Sequence, residues 1–356
     1  MKMTIMLEEL DDKSIQIRVF NRIFPRLKLF CSRCISFEPV RYSGEMISSD
    51  EIESLKNYAD FITACPEVDI GMGVPRETVR IVSINGVPRL IQPKTGIDFT
   101  EKMLNLAHSR LPEYEDCDGF IFKSKSPSSG LTKIPVYTNI NGPNYNETTR
   151  GIYAGVLYEK YNYKPMIEEG PLKNITIWEH VLTKIYLWAE FRLIMKSFSM
   201  KSLVEFQTKN KLLLMALNHA NLKELGNIVA NHDHLLESEV KKAYFEAFKK
   251  IMQNDLTCKK HVNVLEHIYG YFKHDLSDSE KKFFLQELEL YRGGIIPLTV
   301  IIHILREFTI RFNQDYLMNQ TYLQPFPDAL AFKGDFYSNK EKLEREDWYN
   351  KKHNIS

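Results

Sequence analysis

The hydrophobic period of this chain changes near residue 175, and no single layer of secondary structure satisfies both halves. Up to about residue 170, short apolar runs alternate with helical patterns. LKLFCS, FITAC and GFIFKS read as strands, and SSDEIESLKNYADF, DFTEKMLNLAHSRL and TTRGIYAGVLYEKY as helices. The first of these helices opens on serines and acids, as a capped helix should. TVRIVSINGVPRLIQ reads as two strands around Asn85-Gly86, the strongest short hairpin signal. Such alternation predicts an α/β layer with a largely parallel sheet. Beyond residue 175, helix follows helix. SDSEKKFFLQELELYRGG opens with Ser277 and Glu280 in capping-box spacing and stops at Gly293-Gly294. The expected division is an N-terminal extension at 1–27, an α/β domain at 28–168, an all-helical domain at 175–335 and a charged tail at 336–356.

A formal net charge of +1 excludes a global basic field that would recruit nucleic acid, although local basic faces remain open. No apolar run approaches the ~20 residues that span a bilayer. The most apolar stretch, Gly294 to Leu305, is shorter and carries His303, so it reads as a buried helix. The N-terminus has early acids and no apolar block with a small-residue cleavage site, so a cytoplasmic location is expected. Five cysteines, an odd number, argue against a disulfide framework.

In an open α/β sheet, ligands sit beyond the carboxyl ends of strands. Three motif-bearing loops fall there: one with Cys34 and FEPVRYSG, a second reading CPEVDIGMGVPRE, a third reading KSKSPSSG. The third follows the apolar run Phe120–Phe122 and is rich in hydroxyls, backbone donors and lysine, a composition that suits a phosphate or a metal cluster. GMGVP is no phosphate loop, because it lacks the Gly-Lys-Ser ending. Loops far apart in sequence but alike in position predict one shared site.

SRCISFEPVRYSG, then CPEVDIGMGVPRE, then KSKSPSSG resemble the 2-thiouracil desulfidase family over roughly residues 28 to 165. That family typically shows a cysteine shortly before Arg-Tyr-x-Gly, then Cys-Pro-Glu, then Lys-Ser-x-Ser-Pro-Ser-Cys-Gly. The second half resembles the YbgA-like helical domain of unknown function often fused to it, in VEFQTKNKLLLMALNH, LKELGNIVA, HVNVLEHIYGYFK, ELELYRGGIIPL and NQTYLQPFPDAL. The resemblance implies a 4Fe–4S cluster held by three cysteines, with the fourth iron open to the sulfur of a thiolated pyrimidine. Two of its ligand positions fall on Cys34 and Cys65, and the third falls on Ser129. Histidines typical of the helical domain fall on Gln207, Asn210 and Leu217.

Thiolate sulfur is the soft ligand that such clusters need, and buried free cysteine is also an ordinary core residue. A serine hydroxyl deprotonates far less readily than a thiol, whose reference pKa is ~8.5. Ser129 therefore leaves three outcomes: weak ligation by Ser129, substitution by Cys31 or Cys117, or no cluster. An odd offset along a strand sets Cys31 on the face opposite Cys34, and Cys117 precedes its strand rather than following it. The resemblance makes Glu67 and Ser126 candidates for proton handling; the competing readings are a helix N-terminal acid and a turn hydroxyl. Arg41, Arg76, Arg80, Lys123 and Lys125 are candidates for holding an anionic part of a substrate, against a reading as surface charges and structural pairs. His261, His267 and His274 lack the i, i+4 spacing of helical metal ligands, and Tyr291, Arg292, Tyr322 and Pro325 read as packing and capping residues. Two functions follow. One is non-redox removal of sulfur from a thiolated pyrimidine base at an open-iron cluster, impaired if Ser129 fails as a ligand. The other is a non-catalytic binding protein on the same scaffold, its helical domain recognising a protein or RNA partner.

Overall fold

The computed structural model describes residue 20 and residues 22–331. Most of the expected N-terminal extension and all of the expected charged tail lie outside the described residues. The first half runs β1 (Leu27–Ser32), α1 (Asp50–Lys56), β2 (Ala59–Ala64), the single turn α2 (Pro66–Asp69), β3 (Arg80–Ile84), β4 (Val87–Gln92), β5 (Ile97–Asp98), α3 (Thr100–Arg110), β6 (Gly119–Phe122), β7 (Ile134–Tyr137), β8 (Tyr145–Thr149), α4 (Ile152–Tyr161) and β9 (Met166–Glu168). Four of the strands form the expected parallel sheet, in the order β2-β1-β6-β9.

A second sheet of five strands, β5-β4-β3-β7-β8, stands beside it and is antiparallel except between β3 and β7. Only its β3–β4 hairpin was legible in sequence. Asn85 and Gly86 sit at its turn with φ of 52° and 78°, the left-handed pair that a tight hairpin demands. The edge strand β8, YNETT, is polar and mostly exposed, so no hydrophobic alternation announces it.

Helix α5 (Ile175–Lys196) joins the halves, and Asn174 caps it by accepting from the amides of Thr176 and Ile177. It is apolar on nearly every side, and its two neighbours explain why. Trp178, Leu182, Ile185, Tyr186 and Ala189 pack with β1 residues Leu27, Leu29 and Cys31. Leu187, Trp188 and Phe191 join the core of the helical half. Near its far end, Arg192 donates to both carboxylate oxygens of Asp118 at 2.7 and 3.0 Å, and Asp118 also accepts from the Lys28 amide. The remaining chain is helical: α6 (Met200–Lys209), α7 (Lys211–Leu217), α8 (His219–Ala230), α9 (Glu237–Met252), α10 (Cys258–Tyr269), α11 (Asp278–Arg292), α12 (Leu298–Arg311) and α13 (Asp315–Met318).

The capping box of Ser277 and Glu280 forms as expected. His261 is buried, and its Nδ1 lies 2.9 Å from the Tyr322 hydroxyl, a hydrogen-bonding role. Gln207 accepts from the Tyr244 hydroxyl, and Asn210 from the Thr321 hydroxyl. Among the described residues, no helix is long and apolar enough to cross a membrane.

Glu179 on α5 is buried, with the Thr299 hydroxyl of α12 as its donor. Burial pushes its carboxyl up from the ordinary 4.5 to about 7. Between those values the unfolded chain has released this proton while the folded chain keeps it, so stability falls as pH rises through that window. Glu179→Gln is predicted to be nearly neutral at pH 4.5 and to stabilise at pH 8 by up to ~3 kcal/mol, measured by urea unfolding. A difference independent of pH would mean that the folded carboxyl titrates normally.

Candidate functional site

Parallel pairing decides where the three motif loops meet. Ser32 of β1 pairs with Ala64 of β2, and Cys31 with Ile121 of β6. The residues just past these strand ends therefore emerge at one edge: Cys34 after β1, Cys65 after β2, and Lys123 onward after β6. Beyond Ser32 the chain turns back on itself, with the Ser36 amide bound to the Ile47 carbonyl. Cys65 stands at the N-cap of α2 and Glu67 lies in its first turn.

The Lys123–Thr132 loop is held from below by α4. The amides of Gly151, Ile152 and Tyr153 donate to the carbonyls of Gly130, Pro127 and Ser128 at 2.7, 3.1 and 2.9 Å. These are the orphan donors of a helix start, and loop carbonyls consume them. The phosphate alternative thus loses the helix amides that would have served it. Gly151 is required for this contact, since a Cβ there would lie 2.5 Å from the Ser128 carbonyl.

Above this backbone runs a chain of side-chain contacts. Ser126 Oγ lies 2.9 Å from Ser128 Oγ, and Ser128 Oγ donates to Glu67 Oε1 at 2.7 Å. The other Glu67 oxygen accepts from the Arg76 guanidinium at 2.7 Å. Arg76 also donates to the Val40 carbonyl and lies 3.7 Å from Cys65 Sγ. Ser129 donates its amide to Ser126 Oγ at 3.1 Å, and its hydroxyl lies 3.4 Å from Ser128 Oγ.

These residues line a cavity of about 470 Å³. Cys34, Cys65 and Ser129 line it, as do Glu67 and Ser126 and the five cations Arg41, Arg76, Arg80, Lys123 and Lys125. The cations differ in their commitments. Arg76 is paired with Glu67, Lys123 with Glu169 at 2.5 Å, and Arg41 with Glu45 at 3.0 Å. Lys125 is exposed, at a left-handed φ of 59°. Burial pushes the Cys34 thiol up to about 12, the nearby Cys65 adding to the rise, and burial raises Cys65 as well.

Neither substitute cysteine lines the cavity, although Cys31 shares a buried cluster with Cys34. Cys31 points to the α5 side of β1 among Leu27, Leu29 and Tyr186, and Cys117 is buried at the opposite end of β6, beside Asp118 and the start of β1. Ser128 was not singled out in sequence, although it sits inside the motif. Glu168 and Glu169 were missed as well, and an acid pair between a strand and Gly170-Pro171 was the signal that marked them.

Residues 29–169 match the family model for 2-thiouracil desulfurase. Residues 211–327 match a family model described as a protein of unknown function, DUF1722. The first half of the chain is thus similar to the 2-thiouracil desulfurase family and the second half to the DUF1722 family. The uncharacterized protein YbgA of Escherichia coli strain K12 is 22% identical over 133 residues, 37% of this chain and 79% of that protein. The solved structure of the 4Fe–4S-dependent thiouracil desulfidase TudS aligns at 23% identity with a TM-score of 0.34, over 41% of this chain and 93% of that one.

At the three motif positions the cavity presents two thiols and a hydroxyl. Among the described residues, no group of three or more His, Cys, Asp or Glu side chains is placed to hold a metal ion. Ser129 is a poor donor to iron at neutral pH, because its hydroxyl stays protonated. The residues present do not fit a cluster held by three thiolates.

Gly151→Ala is predicted to lower stability by ~1–3 kcal/mol through overpacking against Ser128, read by urea unfolding, and to open the cavity loop to amide exchange. Wild-type stability in this variant would mean that the α4–loop contact is slack.

Proposed function

We propose that the cavity binds a thiolated pyrimidine base, and that Ser129 leaves this chain impaired in the cluster-dependent desulfidation its family relationship suggests. The observation that carries the reading is the triplet Cys34, Cys65 and Ser129 around one cavity, with a hydroxyl in the third place. The cavity falls within the range of small-molecule sites and amply accommodates a single planar ring. Its polar groups supply both kinds of hydrogen-bond partner: the hydroxyls of Ser126 and Ser129 can donate or accept, and the Glu67 carboxylate accepts. Arg76 and Ser128 each occupy one oxygen of Glu67 and so fix the direction of its remaining lone pairs. In this reading Glu67 and Ser126 orient the base, and the two thiols face its sulfur.

The test is Ser129→Cys. After anaerobic reconstitution with iron and sulfide, the variant is expected to approach about four irons per chain with brown colour, while wild type stays well below that. Calorimetry is expected to show 2-thiouracil binding in both proteins, and turnover to uracil in the variant alone. A full cluster and turnover in wild type would overturn the impairment and make this chain a working desulfidase. Failure of both proteins to bind 2-thiouracil would remove the substrate assignment.

A further inference from the structure

Glu168 ends β9 and Glu169 follows it directly, and successive side chains of extended chain point opposite ways. They reach opposite ends of the cavity loop. Glu168 Oε1 accepts from the amides of Leu131 and Thr132 at 2.7 and 3.2 Å. Glu169 Oε2 accepts from the amide and hydroxyl of Ser124 at 2.6 and 2.7 Å, and its Oε1 takes the Lys123 ammonium at 2.5 Å. The Glu169 side chain is only 11% exposed and that of Lys123 23%, so solvent screens this pair weakly. Lys123 lines the cavity, and the second buried cation on that wall, Arg76, is likewise matched by a carboxylate. Arg80 lines the cavity as well, held by the Gly142 carbonyl and the Tyr137 ring and, among the described residues, in no ion pair, so the two carboxylates reduce the positive charge of the wall without cancelling it.

We propose that Glu169 is a specificity-determining residue: by neutralising Lys123 it removes one positive charge from the cavity wall and so biases the site toward an uncharged ring over an anionic one, while Glu168 positions the far end of the same loop. The ligand class rests on the reading above; the charge argument does not. Removing the carboxylate unmasks an ammonium at the wall, and an unscreened charge a few ångströms from a ligand is worth a factor of about ten or more in binding.

Two measurements decide it. The first uses no base. Cys34 and Cys65 are alkylated in the full chain by iodoacetamide, which is neutral, and by iodoacetate, which is an anion, with the sites located by mass spectrometry. The ratio of the two rates cancels the fraction of thiolate and reports the charge inside the cavity. Glu169→Gln is expected to raise the iodoacetate-to-iodoacetamide ratio about tenfold, and the double variant Lys123→Met with Glu169→Gln to return it to the wild-type value. Glu168→Gln is expected to leave it unchanged while accelerating amide exchange at Leu131 and Thr132.

The second measurement compares binding of 2-thiouracil with that of 2-thiobarbiturate, a similar ring that is anionic at neutral pH. Wild type is expected to favour 2-thiouracil, and Glu169→Gln to shift the preference toward the anion; a purely structural role would weaken both alike. An alkylation ratio unmoved by Glu169→Gln, in a variant that melts like wild type, overturns the inference whatever the bases do. A ratio that rises and is restored, in a protein that binds neither base, upholds it and removes the thiolated-pyrimidine reading instead.

Discussion

Strand β1 pairs in parallel with β2 on one side and β6 on the other, and the cavity depends on both registers together. Its two faces enter different cores. Leu29 and Cys31 pack beneath α5, while Phe30 meets Tyr114, Phe120, Phe122 and Tyr153 on the other side. A slip of one residue would drive Phe30 into the α5 face and Cys31 among the aromatics, so the register is strongly specified. With it fixed, the carboxyl ends of three strands lie at one edge, and each delivers part of one site.

The site is then stiffened by hydrogen bonds to its backbone from several elements. The α4 amides hold the loop carbonyls, Ser32 Oγ holds the Lys123 amide, and Glu168 and Glu169 hold the amides of Leu131, Thr132 and Ser124. A serine hydroxyl is little smaller than a thiol, so Ser129 leaves this framework intact while changing the donor that the framework presents. In the proposed reading scaffold and chemistry are separable: packing accepts oxygen in place of sulfur, whereas a protonated hydroxyl is a poor donor to iron.

The helical half is more than an appendage to this edge. Helix α5 covers the β1 face that carries Cys31, and it begins six residues after Glu169, the residue that fixes the start of the cavity loop. Buried apolar contacts and the Arg192–Asp118 pair join it to the sheet. The loop at the cavity, the last parallel strand and the first helix of the second half thus form one continuous stretch of packed chain.

Local pattern alone determined much of this protein. The change of period at residue 175, the β3–β4 turn at Asn85-Gly86 and the Ser277 cap each depend on neighbouring residues, so they can be read without a fold. The order of three unlike motifs marked Cys34, Cys65, Ser129, Glu67 and Ser126, and strand–helix alternation predicted that their loops converge. The second sheet was hidden, because β8 buries too little to show alternation. The partners of the charges were hidden too: Lys123 read as a free cation until Glu169, 46 residues away, was brought beside it. Ion pairing across such a separation is decided by which strands adjoin. Only the tertiary structure could say which cations of the cavity wall are neutralised, because charge is carried by residues but neutralised by distance.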